Sequence, residues 1–155
     1  MTAPEGDYDT DVLLWSEHQA DLLRRRAAGE LVNEAELDWP NIAEEIESLG
    51  QSERSKLRSL IGTVIEHLIK LQASPAIEPH NGWKETIDRA RDDIDLLMQD
   101  SPSLRRFVVS MIADGTRRSG RRAARSLKRF GEQPCVEIER FAFTEDQVLG
   151  DWFPE

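Results

Sequence analysis

The sequence predicts an all-α protein: a four-helix bundle-like single domain spanning residues 1–155, with a short C-terminal extension. Three observations carry this. Apolar residues recur at intervals of three and four through most of the chain, helix start and stop signals punctuate those runs, and strand-like alternation is almost absent. Only Pro134 to Phe143, with Val136, Ile138 and Phe141, has spacing that could extend briefly. A chain of 155 residues suits one domain and can bury roughly 68–70% of the surface its unfolded form exposes.

The elements follow in order. Asp9 or Thr10 can cap a first helix to about Ala28, anchored by Val12, Trp15, Leu22 and Leu23 and stopped by Gly29. Asp38 is the expected N-cap of a second helix, its carboxylate accepting the backbone N–H of Asn41, with Leu37 and Ile42 at the two positions of a hydrophobic staple. Pro40 falls in the first turn, where a missing N–H is harmless. At 100° per residue, Ile42, Ile46, Leu49, Leu57, Leu60, Val64, Leu68 and Leu71 share one broad face, so this helix can reach about Gln72 unless Gly50 divides it. Ser74 to Gly82 reads as a loop, and Trp83 opens a third helix to Gln99. Ser101 and Pro102 then fit the N-cap and first position of a fourth helix to about Arg129, with Gly115, Ser119 and Ala123 as a seam of small residues. Thr144-x-x-Gln147 resembles a capping box for one short turn. The tryptophans Trp15, Trp39, Trp83 and Trp152 are expected to be core and staple residues, Trp152 pinning the C-terminus.

Laid out this way, the chain resembles a bacterial family known as domain of unknown function 29. The segments that carry the resemblance are Y-D-T-D-V-L-L-W and Q-A-D-L-L-R, then L-D-W-P-N-I-A-E-E-I-E-S-L-G-Q-S-E-R and H-L-I-K-L-Q, then W-K-E-T-I-D-R-A-R, S-P-S-L-R-R and T-E-D-Q-V-L-G-D-W-F-P. They span nearly the whole chain. The resemblance implies an all-helical fold and no established activity. Pro40, and the absence of a tyrosine from T-R-R-S-G-R-R-A-A-R, depart from the family pattern.

The formal net charge of -10 disfavours general adhesion to nucleic acid or anionic lipid. That average hides an asymmetry. Eight acids and no Lys or Arg lie between Glu30 and Glu53, whereas nine bases and one acid, Asp114, lie between Leu104 and Arg129. The preferred reading is that the two runs answer each other within one fold; the other is a basic patch for a polyanion. The single cysteine, Cys135, excludes an internal disulfide, and the first thirty residues hold Asp7, Asp9 and Asp11 and no long apolar run. A soluble, cytoplasmic protein without a membrane partner is the expectation.

Glu53 draws most attention, because the helical count places it inside the apolar stripe between Leu49 and Leu57. A buried pair with Arg91 is the preferred reading, and a carboxylate ligand or general base the alternative. His67 lies on the same stripe, but fourteen residues of straight helix separate it from Glu53 by roughly 21 Å. A shared metal would need a bend at Gly50 or Gly62, or ligands such as His18, His80 or Asp93 from other helices. A core histidine is preferred, and no Glu-x-x-His or His-x-x-x-His spacing occurs.

Glu44, Glu45 and Glu47 read as a solvated or partner-facing acidic surface, favoured by the backbone dipole early in a helix. Arg117, Arg118, Arg121, Arg122 and Arg125 form a stripe for a partner or a polyanion, with Phe130 the only aromatic nearby to stack a base. Cys135 is expected to be a small apolar filler rather than a nucleophile. No G-x-x-x-x-G-K-[ST], G-x-G-x-x-G or G-x-S-x-G is present.

The function expected is therefore a non-enzymatic interaction module, binding a protein partner or a second copy and needing no cofactor or metal. The alternatives are a small metal-dependent helical-bundle enzyme using Glu53 or His67, and nucleic-acid binding through the arginine-rich fourth helix.

Overall fold

The computed structural model describes residues 6–155. Helices account for 74% of them, and no strand occurs among them. The four main helices are α1 (Val12–Ala27), α2 (Trp39–Ala73), α3 (His80–Asp100) and α4 (Val108–Arg129), followed by the short α5 (Glu145–Leu149). Single 3-10 segments lie at Glu34–Glu36, Pro102–Phe107 and Ile138–Arg140. The chain divides into two compact units, Met1–Gln51 and Ser52–Glu155.

In the first unit, α1 begins at Asp11 rather than Asp9 or Thr10, because the Asp11 carboxylate accepts the Leu14 N–H at 3.0 Å. It ends as the sequence predicts, with Gly29 in the left-handed region at φ +85. Trp15, Gln19, Leu22 and Leu37 are buried, whereas Val12 is 52% exposed and anchors nothing. Asp38 organises the rest. Its carboxylate accepts the Asn41 side-chain amide at 2.7 Å, the Trp15 indole N–H at 3.0 Å and the Asn41 backbone N–H at 3.4 Å. Its own N–H donates to Gln19 at 2.9 Å, and the Gln19 amide donates to the Glu36 carbonyl at 3.0 Å. The Asn41 amide, followed by the Trp15 indole and the Asn41 backbone, holds the Asp38 carboxyl below the usual carboxylate range although burial works against them.

Tyr8 packs edge-on against Trp15, ring centroids 4.9 Å apart, and donates its hydroxyl to Glu45 at 2.6 Å. That bond, with burial and the Glu45 charge, pushes the phenol up to about 12. Tyr8 is the chain's single tyrosine, so ultraviolet absorbance reads it directly. It should titrate near pH 12 in the folded protein and near about 10 once unfolded. A phenol that ionises at the same pH in both states would mean that the Glu45 contact is not made in solution.

In the second unit, Leu57, Ile61, Val64, Ile65, Leu68 and Ile69 of α2 form the fully buried centre. Ile87, Ala90 and Ile94 of α3 and Val108, Met111, Ile112, Ala123 and Leu127 of α4 join them in one core. Each large side chain so buried stabilises the fold by about 1.5–3 kcal/mol before chain entropy is counted. The predicted small-residue seam is buried here. A β-carbon on Gly115 would lie 3.2 Å from Ile65 Cδ1, and the Ser119 hydroxyl donates to the Gly62 carbonyl at 2.9 Å.

As the apolar count expected, α2 runs unbroken to Ala73, and neither Gly50 nor Gly62 divides it. Several other boundaries and contacts differ from expectation. The apolar stripe on α2 is buried only from Leu57 onward, since Ile46 and Leu49 are 64% and 70% exposed. Ser101 makes no side-chain cap, and Pro102–Phe107 is a 3-10 segment that precedes α4 rather than its first turns. The Pro134–Phe143 stretch is not extended into a strand; it carries the 3-10 turn Ile138–Arg140 and is anchored by the Cys135 N–H on the Ala73 carbonyl at 2.7 Å. Cys135 itself is exposed, not a filler of the core. Trp15 is core, but Trp39 is 47% exposed, with the Arg26 guanidinium 5.7 Å from its ring centre. The capping box at Thr144 and Gln147 forms as the spacing predicts.

Candidate functional site

The predicted polar site is not assembled. Glu53 pairs with Lys56 one turn along α2, at 2.7 Å, with about a third of its side chain exposed. Arg91 is 5% exposed and spends its donors on backbone carbonyls: Nε on Val148 at 3.0 Å, and Nη2 on Gln147 at 2.9 Å and Trp152 at 2.7 Å. The Phe153 ring covers the guanidinium at 4.9 Å. Arg91 is thus a clamp on the C-terminal segment and not the partner of Glu53. His67 is half-buried rather than in the core, and its Nδ1 lies 2.8 Å from the Thr63 carbonyl. Because α2 is unbroken, Glu53 and His67 stay roughly 21 Å apart. Among the described residues, no three His, Cys, Asp or Glu side chains converge as a metal site would need. The ion pair most sheltered from water is Glu66–Lys70 at 3.0 Å, which the apolar count did not single out.

Several members of each charge run have partners close to them in sequence. Glu30 bonds Arg25 at 2.8 Å, Glu34 bonds Arg26, Glu36 meets His18 at 3.5 Å, and Arg117 bonds Asp114 at 2.6 Å. Arg105 reaches Glu145 at 2.9 Å. Among the described residues Arg118, Arg121, Arg122 and Arg125 form no ion pair. Glu44 and Glu47 are likewise exposed and unpaired among those residues.

Three of the predicted arginines meet at a groove inside the second unit. Arg117, Arg121 and Arg125 recur every four residues along α4 and flank Thr116, Gly120 and Ala124. Glycine at position 120 lets the C-terminal segment come close, since a β-carbon there would lie 3.3 Å from Ile138 Cγ2. Between α4 and Ile138–Phe141 lies a hollow of about 410 Å³. A second hollow of about 390 Å³, floored by Val109, Ile112, Ala113 and Phe143, shares Thr116, Arg117 and Phe141 with the first and so continues it. The Phe141 and Phe143 rings stack 5.8 Å apart. The groove has an apolar floor and an arginine rim, with Glu139 and Glu145 at its margins. Arg118 and Arg122 stand exposed outside it. Sequence reasoning named the arginines but missed the opposite wall; its only trace was the spacing of Val136, Ile138 and Phe141, read as strand-like.

An all-helical protein with an amphipathic groove is the class that this geometry defines. The chain matches the family model described as "Domain of unknown function DUF29" over residues 8–153, and it belongs to that family. No curated protein and no solved structure matches it. No helix among the described residues is long and apolar enough to cross a membrane.

Proposed function

We propose that the protein is an interaction module whose α4 groove takes an acidic, amphipathic segment of a protein partner. The observation that carries this reading is the pairing of an apolar floor with two rim arginines, Arg121 and Arg125, that form no ion pair among the described residues. Phe141, Val109 and Ala124 offer surface that gains by being covered. Arg121 and Arg125 favour glutamates or aspartates on the flanks of whatever covers it. A polyanion would use the arginines but leave the apolar floor empty, and it would be repelled by the net charge of -10.

The test is anisotropy of a fluorescein-labelled helical peptide with an Ile/Leu face and glutamate flanks, titrated with the full chain at low salt. Arg121→Glu combined with Arg125→Glu should weaken binding by about tenfold or more, equivalent to about 1.4 kcal/mol. Salt should weaken it as well, since the rim charges are exposed. An unaltered affinity in that variant would refute the groove as the site. A labelled single-stranded oligonucleotide binding more tightly than the peptide would replace the reading with nucleic-acid recognition.

A further inference from the structure

We infer that the segment filling the groove is the acidic start of α2 from a second copy of this chain. The inference rests on the reading above, that the groove takes an acidic amphipathic segment, and adds whose segment it is. Ile46 and Leu49 are 64% and 70% exposed and Trp39 is 47% exposed. With Ile42 they fall within a sector of roughly 80° on α2, counting 100° per residue. Within the first unit this is an apolar stripe left without cover on an otherwise regular helix.

Its charge is opposite to that of the groove. No Lys or Arg occurs between Glu30 and Glu53. On α2 the exposed Glu47 flanks the stripe on one side and Glu45, held by Tyr8, flanks it on the other, while Glu44 lies on the opposite face. The lengths are compatible too. Ile42 to Leu49 spans roughly 10 Å of helix, and Val109 to Arg125 spans roughly 24 Å, so two turns of α2 fit within the groove. Exposed isoleucine and leucine would meet Phe141 and Ala124, and Glu47 on the flank would meet Arg121 or Arg125 at the rim. The giving and receiving surfaces are different patches of one chain. Two copies therefore exchange helices reciprocally about a two-fold axis, or successive copies add head to tail.

Sedimentation of the full chain over a range of concentrations tests this. Wild type should gain mass as concentration rises at low salt, and lose that gain in half-molar salt. Ile46→Asp with Leu49→Asp disables the helix, and Arg121→Glu with Arg125→Glu disables the groove; all four positions are exposed, so circular dichroism should match wild type for both. Each variant alone should be monomeric. Mixed, they should form a 1:1 complex, because one intact helix then meets one intact groove. A wild-type chain that stays monomeric throughout, a helix variant that associates like wild type, or a mixture that fails to associate would each overturn the inference. If the designed peptide still binds while the chain stays monomeric, the second copy is rejected and the interaction reading stands. If the peptide fails as well, both fall.

Discussion

Replacing Arg91 by methionine is expected to destabilise the protein by about 3–5 kcal/mol, because three hydrogen bonds from a charged donor, each worth about 1.5–3 kcal/mol, are lost and only part of that is offset by no longer burying the charge. Methionine keeps the apolar stem but strands the three carbonyls of Gln147, Val148 and Trp152 that the guanidinium now satisfies. Burial draws the Arg91 guanidinium below its ordinary value, with Asp88 and Asp151 opposing that pull, yet an arginine remains charged at any working pH. Lysine should rescue little, because one ammonium cannot reproduce a planar fork reaching three acceptors. Chemical denaturation gives the magnitude. Hydrogen exchange gives the location, with the α5 amides, Val148 among them, losing protection first. A loss below about 1 kcal/mol would show that the C-terminal segment is held by its apolar contacts alone.

Asp38→Ala should be the next most damaging, at about 2–4 kcal/mol. Losing an N-cap accounts for about 0.5–2 kcal/mol, and stranding the donor of Trp15, itself 5% exposed, adds about 1–3 kcal/mol. A pH dependence accompanies it. The folded-state carboxyl is held below its unfolded value, so its contribution is complete above about pH 4 and is lost as pH falls through the folded value. Urea denaturation of wild type between pH 7 and pH 3 should show that loss, and Asp38→Asn, which keeps a capping oxygen but cannot ionise, should show less of it. The NMR signal of the Trp15 indole N–H should move over the same acid range. An alanine variant as stable as wild type would mean that α2 starts without its cap.

What was legible in the sequence was what acts within a few residues. The Asp38 cap, the Gly29 stop and the Thr144–Gln147 capping box each involve groups at most four residues apart, and each stands where the spacing placed it. The arginine stripe was legible as charge, but not as a rim, because the wall that makes it a rim comes from Ile138 and Phe141. Glu53 was misread for a related reason. A helical count gives its direction and not what lies opposite, and Lys56 was near enough to answer it without burial.

The sequence by itself determined that this chain is helical, several of its helix ends, and that acidic and basic residues are segregated along it, since all of these follow from local geometry and residue type. Only the tertiary structure decided how far along α2 the apolar stripe is buried. Ile46 and Leu57 carry the same periodic signal, yet one is 64% exposed and the other fully buried, because burial depends on which distant segments arrive and not on the helix that presents the side chain. The same holds for Arg91, whose acceptors are backbone carbonyls more than fifty residues away. Every residue carries a carbonyl, so no pattern of side chains could have marked those three.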